Sequence, residues 1–263
     1  MTSFERHLAA TRLGTVHVWH RPAHAGRPLL MLHMSPRSGR MYHEAMGRLD
    51  RPTIAVDRPG FGLSDPPPSP PTMDDYAAAT LEVIDELGVD RFDVVGTHTG
   101  AVEAVAIAAL APALVASVTL VAIPAYTDEE IALRRLGVAA ARPAGELDGS
   151  HLSNMWQRRI SFRQPPLDLD LLRELLIDEL RADPWVHWAY RAVIEYPMAT
   201  QLAELSVPVT VLAPHDDLWL QTDRARRHLP PGSVFVELAH LDFDLWEKAP
   251  AEMAQLIDQH IPA

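Results

Sequence analysis

Short, almost wholly apolar runs recur along the chain and alternate with longer segments whose apolar residues have helical spacing. Residues 14–22 alternate apolar and polar side chains, which is typical of a half-buried strand. Other runs are almost continuously apolar, as expected for strands buried on both faces, and these are residues 28–34, 52–57, 92–97, 117–123 and 207–214. The alternation predicts an α/β fold with a mostly parallel sheet flanked by helices.

Two segments carry clear signals for amphipathic helices. Residues 72–88 have apolar residues at helical spacing, with Thr72 as the expected N-cap and Gly88 after the end. Residues 250–261 repeat the pattern and place Pro250 in the first turn, where its missing N–H is tolerated. Both helices fit a sheet that is covered on its two faces.

The alternation of strands and helices stops between residues 125 and 200, where the stretches look helical throughout. We therefore predict an α/β core made of residues 1–124 and 201–263, with residues 125–200 as a helical insertion between two strands of the sheet. Four large aromatic residues of this insertion suggest a mostly apolar ligand, although packing within the insertion is an equal alternative; they are Trp185, Trp188, Tyr190 and Tyr196.

The sharpest local signal is the sequence Gly-Thr-His-Thr-Gly at residues 96–100, between a predicted strand and a predicted helix. Gly96 and Gly100 stand two residues before and two residues after His98. A turn that brings a strand and the next helix into close contact has no room for bulky side chains at these two places. The spacing predicts a strained turn with His98 at its tip.

This turn resembles the nucleophile elbow of the α/β-hydrolase family, whose tip usually holds a serine. Four more stretches resemble the family in the expected order. Residues 29–46 resemble its strand and oxyanion loop, and residues 54–67 resemble its D-x-P-G-x-G-x-S turn. Residues 209–219 resemble the strand and turn that carry the acid, and residues 234–250 resemble the last strand, the histidine loop and the final helix. The resemblance implies an α/β-hydrolase-type sheet, with residues 125–200 as its helical cap.

The resemblance also implies three catalytic residues, which are His98, Asp217 and His240. Asp216 is the neighbouring alternative for the acid, and an ordinary acidic turn is the alternative role for the pair. His240 follows the last predicted strand, as the family's histidine does. The usual spacing from the final helix falls on Phe243, so a surface-loop histidine is the alternative for His240.

The oxyanion loop departs from the family's usual His-Gly, because this chain has His33 and Met34. Backbone N–H groups stabilise an oxyanion, so the change does not by itself remove the function. The expected donors are the N–H groups of Ser35 and Thr99. We interpret His33 as a structural hydrogen-bonding residue and expect Met34 to narrow the site.

A histidine at the tip changes the chemistry that the site can perform. Imidazole has a pKa of about 6.5, and the positive end of a helix disfavours its protonation, so we expect His98 to be neutral. A neutral imidazole can attack an acyl carbon, act as a general base, or only orient a ligand. Base catalysis, supported by Asp217 and His240, is the role that we favour.

These residues lead to three hypotheses about function. The first is an enzyme that acts on a small, largely apolar ester, lactone or related carbonyl compound, a hydrolase with His98 in place of the serine nucleophile. The second is a non-hydrolytic enzyme, a lyase, isomerase or cyclase that uses His98 as general base. The third is a catalytically inactive protein that binds a ligand or serves as a scaffold.

Composition limits the partners. Acidic residues number 35 and basic residues 23, and a net charge of −12 disfavours nucleic acid and anionic membranes. The chain has no cysteine, which excludes disulfides, thiolate metal sites and a cysteine nucleophile. No phosphate-binding loop appears, and the His-Asp-Asp at residues 215–217 lacks a second cluster of ligands. We therefore expect a small-molecule substrate, no cofactor and no metal.

Two further observations concern location. Residues 105–124 carry no charge, but Pro112 divides them into an alanine-rich half and a β-branched half, so we predict a buried helix and a buried strand, not a membrane span. The first residues are polar and lack the apolar core of a signal peptide, which predicts a cytoplasmic protein. The sequence does not indicate the oligomeric state.

Overall fold

The computed structural model describes residues 4–23, 26–139, 145–163 and 165–261. Within them the strands are β1 (Glu5–Thr11), β2 (Gly14–Arg21), β3 (Leu29–Leu32), β4 (Thr53–Val56), β5 (Phe92–Thr97), β6 (Val115–Val121), β7 (Val209–Pro214) and β8 (Val234–Leu238). The α-helices are α1 (His43–Met46), α2 (Met73–Glu86), α3 (Thr99–Leu110), α4 (Asp128–Ala139), α5 (Ser150–Ser161), α6 (Leu169–Ala182), α7 (Val186–Glu195), α8 (Met198–Ala203), α9 (Trp219–Ala225), α10 (Leu245–Lys248) and α11 (Pro250–His260). Short 3₁₀ turns cover Gly39–Tyr42 and Arg226–His228.

The strands of the described residues form one sheet in the order β1-β2-β4-β3-β5-β6-β7-β8. β2 pairs antiparallel with β1 and β4, and every other pair is parallel. Every residue of β3, β4, β5 and β7 is buried, which is why their sequences are apolar without alternation. The predicted mostly parallel sheet is confirmed.

The strand β1 was not predicted from the hydrophobic pattern. It lies at the edge of the sheet, and among its seven residues only Ala9 is buried. Its pairing with β2 supplies backbone hydrogen bonds without requiring an apolar sequence. An edge strand of this kind therefore leaves no periodic signal in the chain.

The predicted helix ends agree with the structure. Thr72 caps α2 through its side chain, which accepts a hydrogen bond from the N–H of Asp75. The Asp75 side chain in turn accepts a hydrogen bond from the N–H of Thr72. Pro250 occupies the first turn of α11. Each of these features removes an unsatisfied group from a helix terminus.

Helices cover both faces of the sheet and bury two apolar clusters. One cluster contains residues of α2 and α3, such as Val83 and Val105, together with residues of β5 and β6. The other contains Met46 of α1, Trp246 of α10 and Ile257 of α11. Helices on both sides explain why the central strands are buried on both faces.

The uncharged segment 105–124 is the end of α3 followed by β6, as predicted. Among the described residues, no helix is both long enough and apolar enough to cross a bilayer. The four helices α4 to α7 come from the helix-like stretches of the insertion and lie between β6 and β7 in the chain.

The parallel arrangement brings several loops to one edge of the sheet. The carboxyl ends of β3, β5, β7 and β8 lie along this edge, and in open α/β sheets it is the usual place for a ligand. The loops that follow these four strands contain Ser35, His98, Asp217 and His240.

Candidate active site

The turn between β5 and α3 is as tight as the glycine spacing predicts. His98 has φ 51° and ψ −112°, a strained conformation for a residue with a side chain. A Cβ at Gly96 would lie 2.0 Å from the carbonyl oxygen of Gly100, and one at Gly100 would lie 1.9 Å from the oxygen of Leu32. Only glycine permits these approaches, so the two glycines are required by packing.

The imidazole of His98 forms a direct hydrogen bond with Asp216. The distance from Nε2 to Oδ2 is 2.7 Å, and the side chains are 14% and 2% exposed. An ionised carboxylate only accepts, so Nε2 carries the hydrogen. In the neutral ring the lone pair then lies on Nδ1, which has no hydrogen-bond partner among the described residues.

Asp216 changes the pKa shift expected for His98. Burial opposes the charged ring, but the charge of Asp216, its hydrogen bond and the charge of Asp217 together raise the pKa of His98 above its usual value. The helix terminus alone would lower the pKa of His98, and the structure gives the opposite direction of shift. The nearby carboxylates outweigh the helix dipole and the loss of hydration.

Asp217, the acid favoured by the sequence, lies beside this pair but is not hydrogen-bonded to His98. Its side chain is solvent-accessible and lines the same cavity. The cavity walls limit its hydration and raise the pKa of Asp217, while His98 lowers it and Asp216 raises it further. The structure thus brings His98, Asp216 and Asp217 together and gives the direct contact to Asp216.

The structure does not bring His240 into this group. Its Nε2 lies 2.8 Å from Oε1 of Glu252 in α11, and its side chain is 63% exposed. His240 is also not among the described residues that line the cavity around His98. Its catalytic role stays a prediction, and the geometry corresponds to the surface-loop alternative.

The two predicted oxyanion donors lie next to each other. The N–H of Ser35 points to Oγ1 of Thr99 at 3.4 Å, and both residues are buried and line the cavity. Thr99 is the first residue of α3, so its own N–H has no acceptor within the helix. Their position beside His98 is compatible with the predicted donor role.

A buried network holds the loop that contains Ser35. His33 accepts a hydrogen bond from the N–H of Arg58 at Nε2 (3.0 Å) and donates from Nδ1 to the carbonyl of Met34 (2.8 Å). Arg58 also contacts Oγ of Ser35 and forms a buried ion pair with Glu103 of α3. Burial lowers the pKa of His33. These contacts correspond to the structural role expected for His33.

His98, Asp217, Ser35 and Thr99 open into a cavity of about 1030 Å³. Much of its wall comes from the insertion, and the apolar part of the lining is Met34, Pro36, Pro124, Met155, Phe162, Leu175, Leu180, Val186, Val193, Ile194, Leu218 and Phe243. Of the four aromatic residues singled out in the sequence, Tyr190 lines the cavity. The other three do not belong to the described lining, which fits packing within the insertion.

Comparisons with known proteins agree with this architecture. The profile of the α/β-hydrolase fold family matches residues 27–147. Solved structures with the same fold align with almost the whole chain. The chain has the α/β-hydrolase fold.

The similar structures share the α/β-hydrolase fold at low sequence identity. A thermophilic esterase from Thermogutta terrifontis, with malate bound, has a TM-score of 0.78 and 24% identity, with 97% of each chain covered. A hydrolase from Pseudomonas aeruginosa has a TM-score of 0.81 and 18% identity, covering 98% of this chain and 99% of its own. The N-acyl homoserine lactonase AidH has a TM-score of 0.75 and 20% identity, covering 99% of this chain and 98% of its own. No curated protein matches the chain.

The cavity also contains charged residues that were not predicted from the sequence. Five arginines line it, which are Arg37, Arg134, Arg158, Arg159 and Arg163. Most of them are paired: Arg163 of the insertion, for example, forms a bidentate ion pair with Asp244 in the loop after β8. Two pairs of adjacent arginines within predicted helices, at residues 134–135 and 158–159, could have indicated charged groups in the cavity.

Within the described residues, His98, Asp216 and Asp217 form a group that could hold a metal ion. One ligand atom from each residue lies within 4.8 Å of the others. The direct bond between His98 and Asp216 already uses Nε2 and Oδ2, which leaves Asp217 as the free carboxylate. This donor arrangement fits a proton-transfer pair better than a chelate, and metal independence stays a prediction.

Proposed function

We propose that this protein hydrolyses a small ester or lactone and that His98, activated by Asp216, is the general base. The observation that carries the proposal is the 2.7 Å bond between Nε2 of His98 and Oδ2 of Asp216. It orients the ring so that the free lone pair of Nδ1 is available in the cavity. An esterase and a lactonase among the proteins of the same fold support this class of substrate.

The proposed reaction assigns one role to each of these groups. Nδ1 of neutral His98 takes a proton from a water molecule, and the water oxygen bonds to the carbonyl carbon. Asp216 stabilises the imidazolium that forms, because its carboxylate accepts from Nε2. The C–O bond to the leaving group then breaks, and the proton on Nδ1 passes to the leaving alkoxide.

The N–H groups of Ser35 and Thr99 are the proposed donors to the oxyanion of the tetrahedral intermediate. Such donors act through fixed backbone dipoles, so Met34 in place of glycine leaves this contribution intact. Residues 125–200 are the proposed cap, which supplies much of the apolar wall of the cavity and limits the access of bulk water to the site.

The experiment is a panel of p-nitrophenyl esters and small lactones tested with the wild-type protein, His98→Ala and His98→Ser. Loss of a general base is expected to lower kcat by about 10²- to 10⁴-fold in His98→Ala. Quenched single turnovers analysed by mass spectrometry separate base catalysis from nucleophilic attack. An acyl group on the His98 peptide would assign His98 as the nucleophile, and full activity in His98→Ala would exclude both roles.

A second candidate is a non-hydrolytic enzyme that moves a proton on a carbonyl compound. The raised pKa of Asp217 favours it, since Asp217 then offers a second proton-transfer group in the same cavity as His98. Incorporation of solvent deuterium into carbonyl substrates, without hydrolysis and with dependence on Asp217, would support this candidate over the first.

A further inference from the structure

Arg134 of α4 lies in the cavity wall in an unusual setting. The carbon at the centre of its guanidinium is 4.0 Å from the centroid of the Tyr126 ring. Both residues line the cavity that contains His98 and Asp217, and Arg134 is exposed. Stacking on an aromatic ring restricts a guanidinium while leaving its N–H groups free to donate at the edge.

The usual helical partner of Arg134 is occupied elsewhere. Glu130 stands four residues earlier in α4, the position from which a carboxylate normally reaches an arginine. Its carboxylate instead binds Arg224 at 2.5 Å and the amide of Gln221 at 2.9 Å. Within the described part of the chain, no carboxylate lies within ion-pair distance of Arg134.

Other arginines of the cavity differ in this respect. Arg159 is paired with Glu179 at 2.5 Å, and Arg163 binds Asp244 through two hydrogen bonds. Carboxylates of the protein itself therefore occupy donors of these arginines. Arg134 is therefore the cavity arginine whose donors remain available for a ligand in the described structure.

We propose that Arg134, held on Tyr126, binds a carboxylate of the substrate. The substrate would then be a carbonyl compound with an apolar body and an acidic group, such as a half-ester of a dicarboxylic acid. A planar guanidinium matches a carboxylate through two parallel hydrogen bonds, which a neutral group cannot replace. The inference rests on the proposed hydrolase function and specifies its substrate class.

The experiment compares two series of p-nitrophenyl esters that differ in one group. One series ends in a free carboxylate and the other in the corresponding uncharged amide, with the same chain lengths. The proteins are wild type, Arg134→Gln, Arg134→Lys and the control Arg173→Gln. Arg173 is 67% exposed, pairs with Asp170 and does not belong to the described cavity lining.

The wild type is expected to prefer the carboxylate series. Arg134→Gln should lower kcat/KM for that series by about 10- to 100-fold, as expected for a lost charged hydrogen bond, with little change for the amides. The loss should lie in KM, because the carboxylate is remote from the reacting carbonyl. Arg134→Lys should recover part of the preference, and Arg173→Gln should retain all of it.

An equal loss for both series in Arg134→Gln would assign Arg134 a structural role and overturn the inference. If neither series is turned over by the wild type, the proposed hydrolysis fails and binding provides the remaining test. Calorimetry with the monoamide of a dicarboxylic acid then decides: binding that is weakened in Arg134→Gln supports the inference. Equal binding or no binding in the two proteins refutes it.

Discussion

The two neighbouring aspartates after β7 should differ sharply in importance. We predict that Asp216→Asn impairs the protein far more than Asp217→Asn, although the family resemblance favours Asp217 as the acid. Asparagine is a well-matched replacement, because its Oδ1 can still accept the N–H of Leu218, as Asp216 does at 2.9 Å. The change therefore preserves the turn and removes the charge that faces His98.

The expected loss of kcat/KM in each variant follows from the contacts of the aspartate that is replaced. The bond between His98 and Asp216 is 2.7 Å long and almost fully buried on the Asp216 side. A hydrogen bond of this charged kind contributes about 1.5–3 kcal/mol, which corresponds to a loss of about 10- to 150-fold in kcat/KM. Asp217 is exposed and acts on His98 only through charge, so its loss should cost about fivefold or less.

An amide at position 216 also changes the ring of His98. Its NH₂ group can donate to Nε2, which places the remaining hydrogen on Nδ1 and removes the lone pair from the cavity. Nuclear magnetic resonance of histidine-labelled protein measures the result without a known substrate. The His98 signal is assigned by its absence in His98→Gln.

In the wild type the His98 signal should titrate above the usual value of about 6.5, because Asp216 stabilises the charged ring. In Asp216→Asn its pKa should fall, and in Asp217→Asn it should fall less. The reasoning is refuted if Asp216→Asn leaves the titration of His98 unchanged, or if Asp217→Asn lowers kcat/KM more than Asp216→Asn does.

Four further outcomes are expected. Gly100→Ala should lower the free energy of unfolding in urea by about 3 kcal/mol or more, since its Cβ would meet the oxygen of Leu32 at 1.9 Å; a smaller loss would show that the elbow can relax. His240→Ala should change activity less than about twofold, because an exposed pair such as that with Glu252 contributes little, and a loss of 100-fold would restore its catalytic role. Dialysis against a chelator should leave activity unchanged, whereas loss and recovery with a divalent cation would assign a metal. The free energy of unfolding of the wild type should exceed that of His98→Gln most below about pH 6.5, and this difference should disappear as the pH rises through the raised pKa of His98. A difference that grows with rising pH would contradict the raised pKa.

Local sequence was sufficient where local physics decides the structure. Apolar runs without alternation predicted strands buried on both faces, and β3, β5 and β7 are buried throughout. Gly96 and Gly100 predicted the elbow because a Cβ at either place would collide with backbone. The edge strand β1 was not predicted, because an exposed strand needs no apolar pattern.

The site depended on contacts between distant parts of the chain. Asp216 and Asp217 are adjacent in sequence, and the turn after β7 decides which of them reaches His98, 118 residues away. That contact raises the pKa of His98, which is opposite in direction to the shift expected from the elbow alone. Arg134 likewise looked like an ordinary helical residue, because only the packing of α4 shows that Glu130 is paired with Arg224. Patterns along a chain determine which elements form, whereas hydrogen bonds and ion pairs between those elements depend on loop geometry that no local pattern encodes.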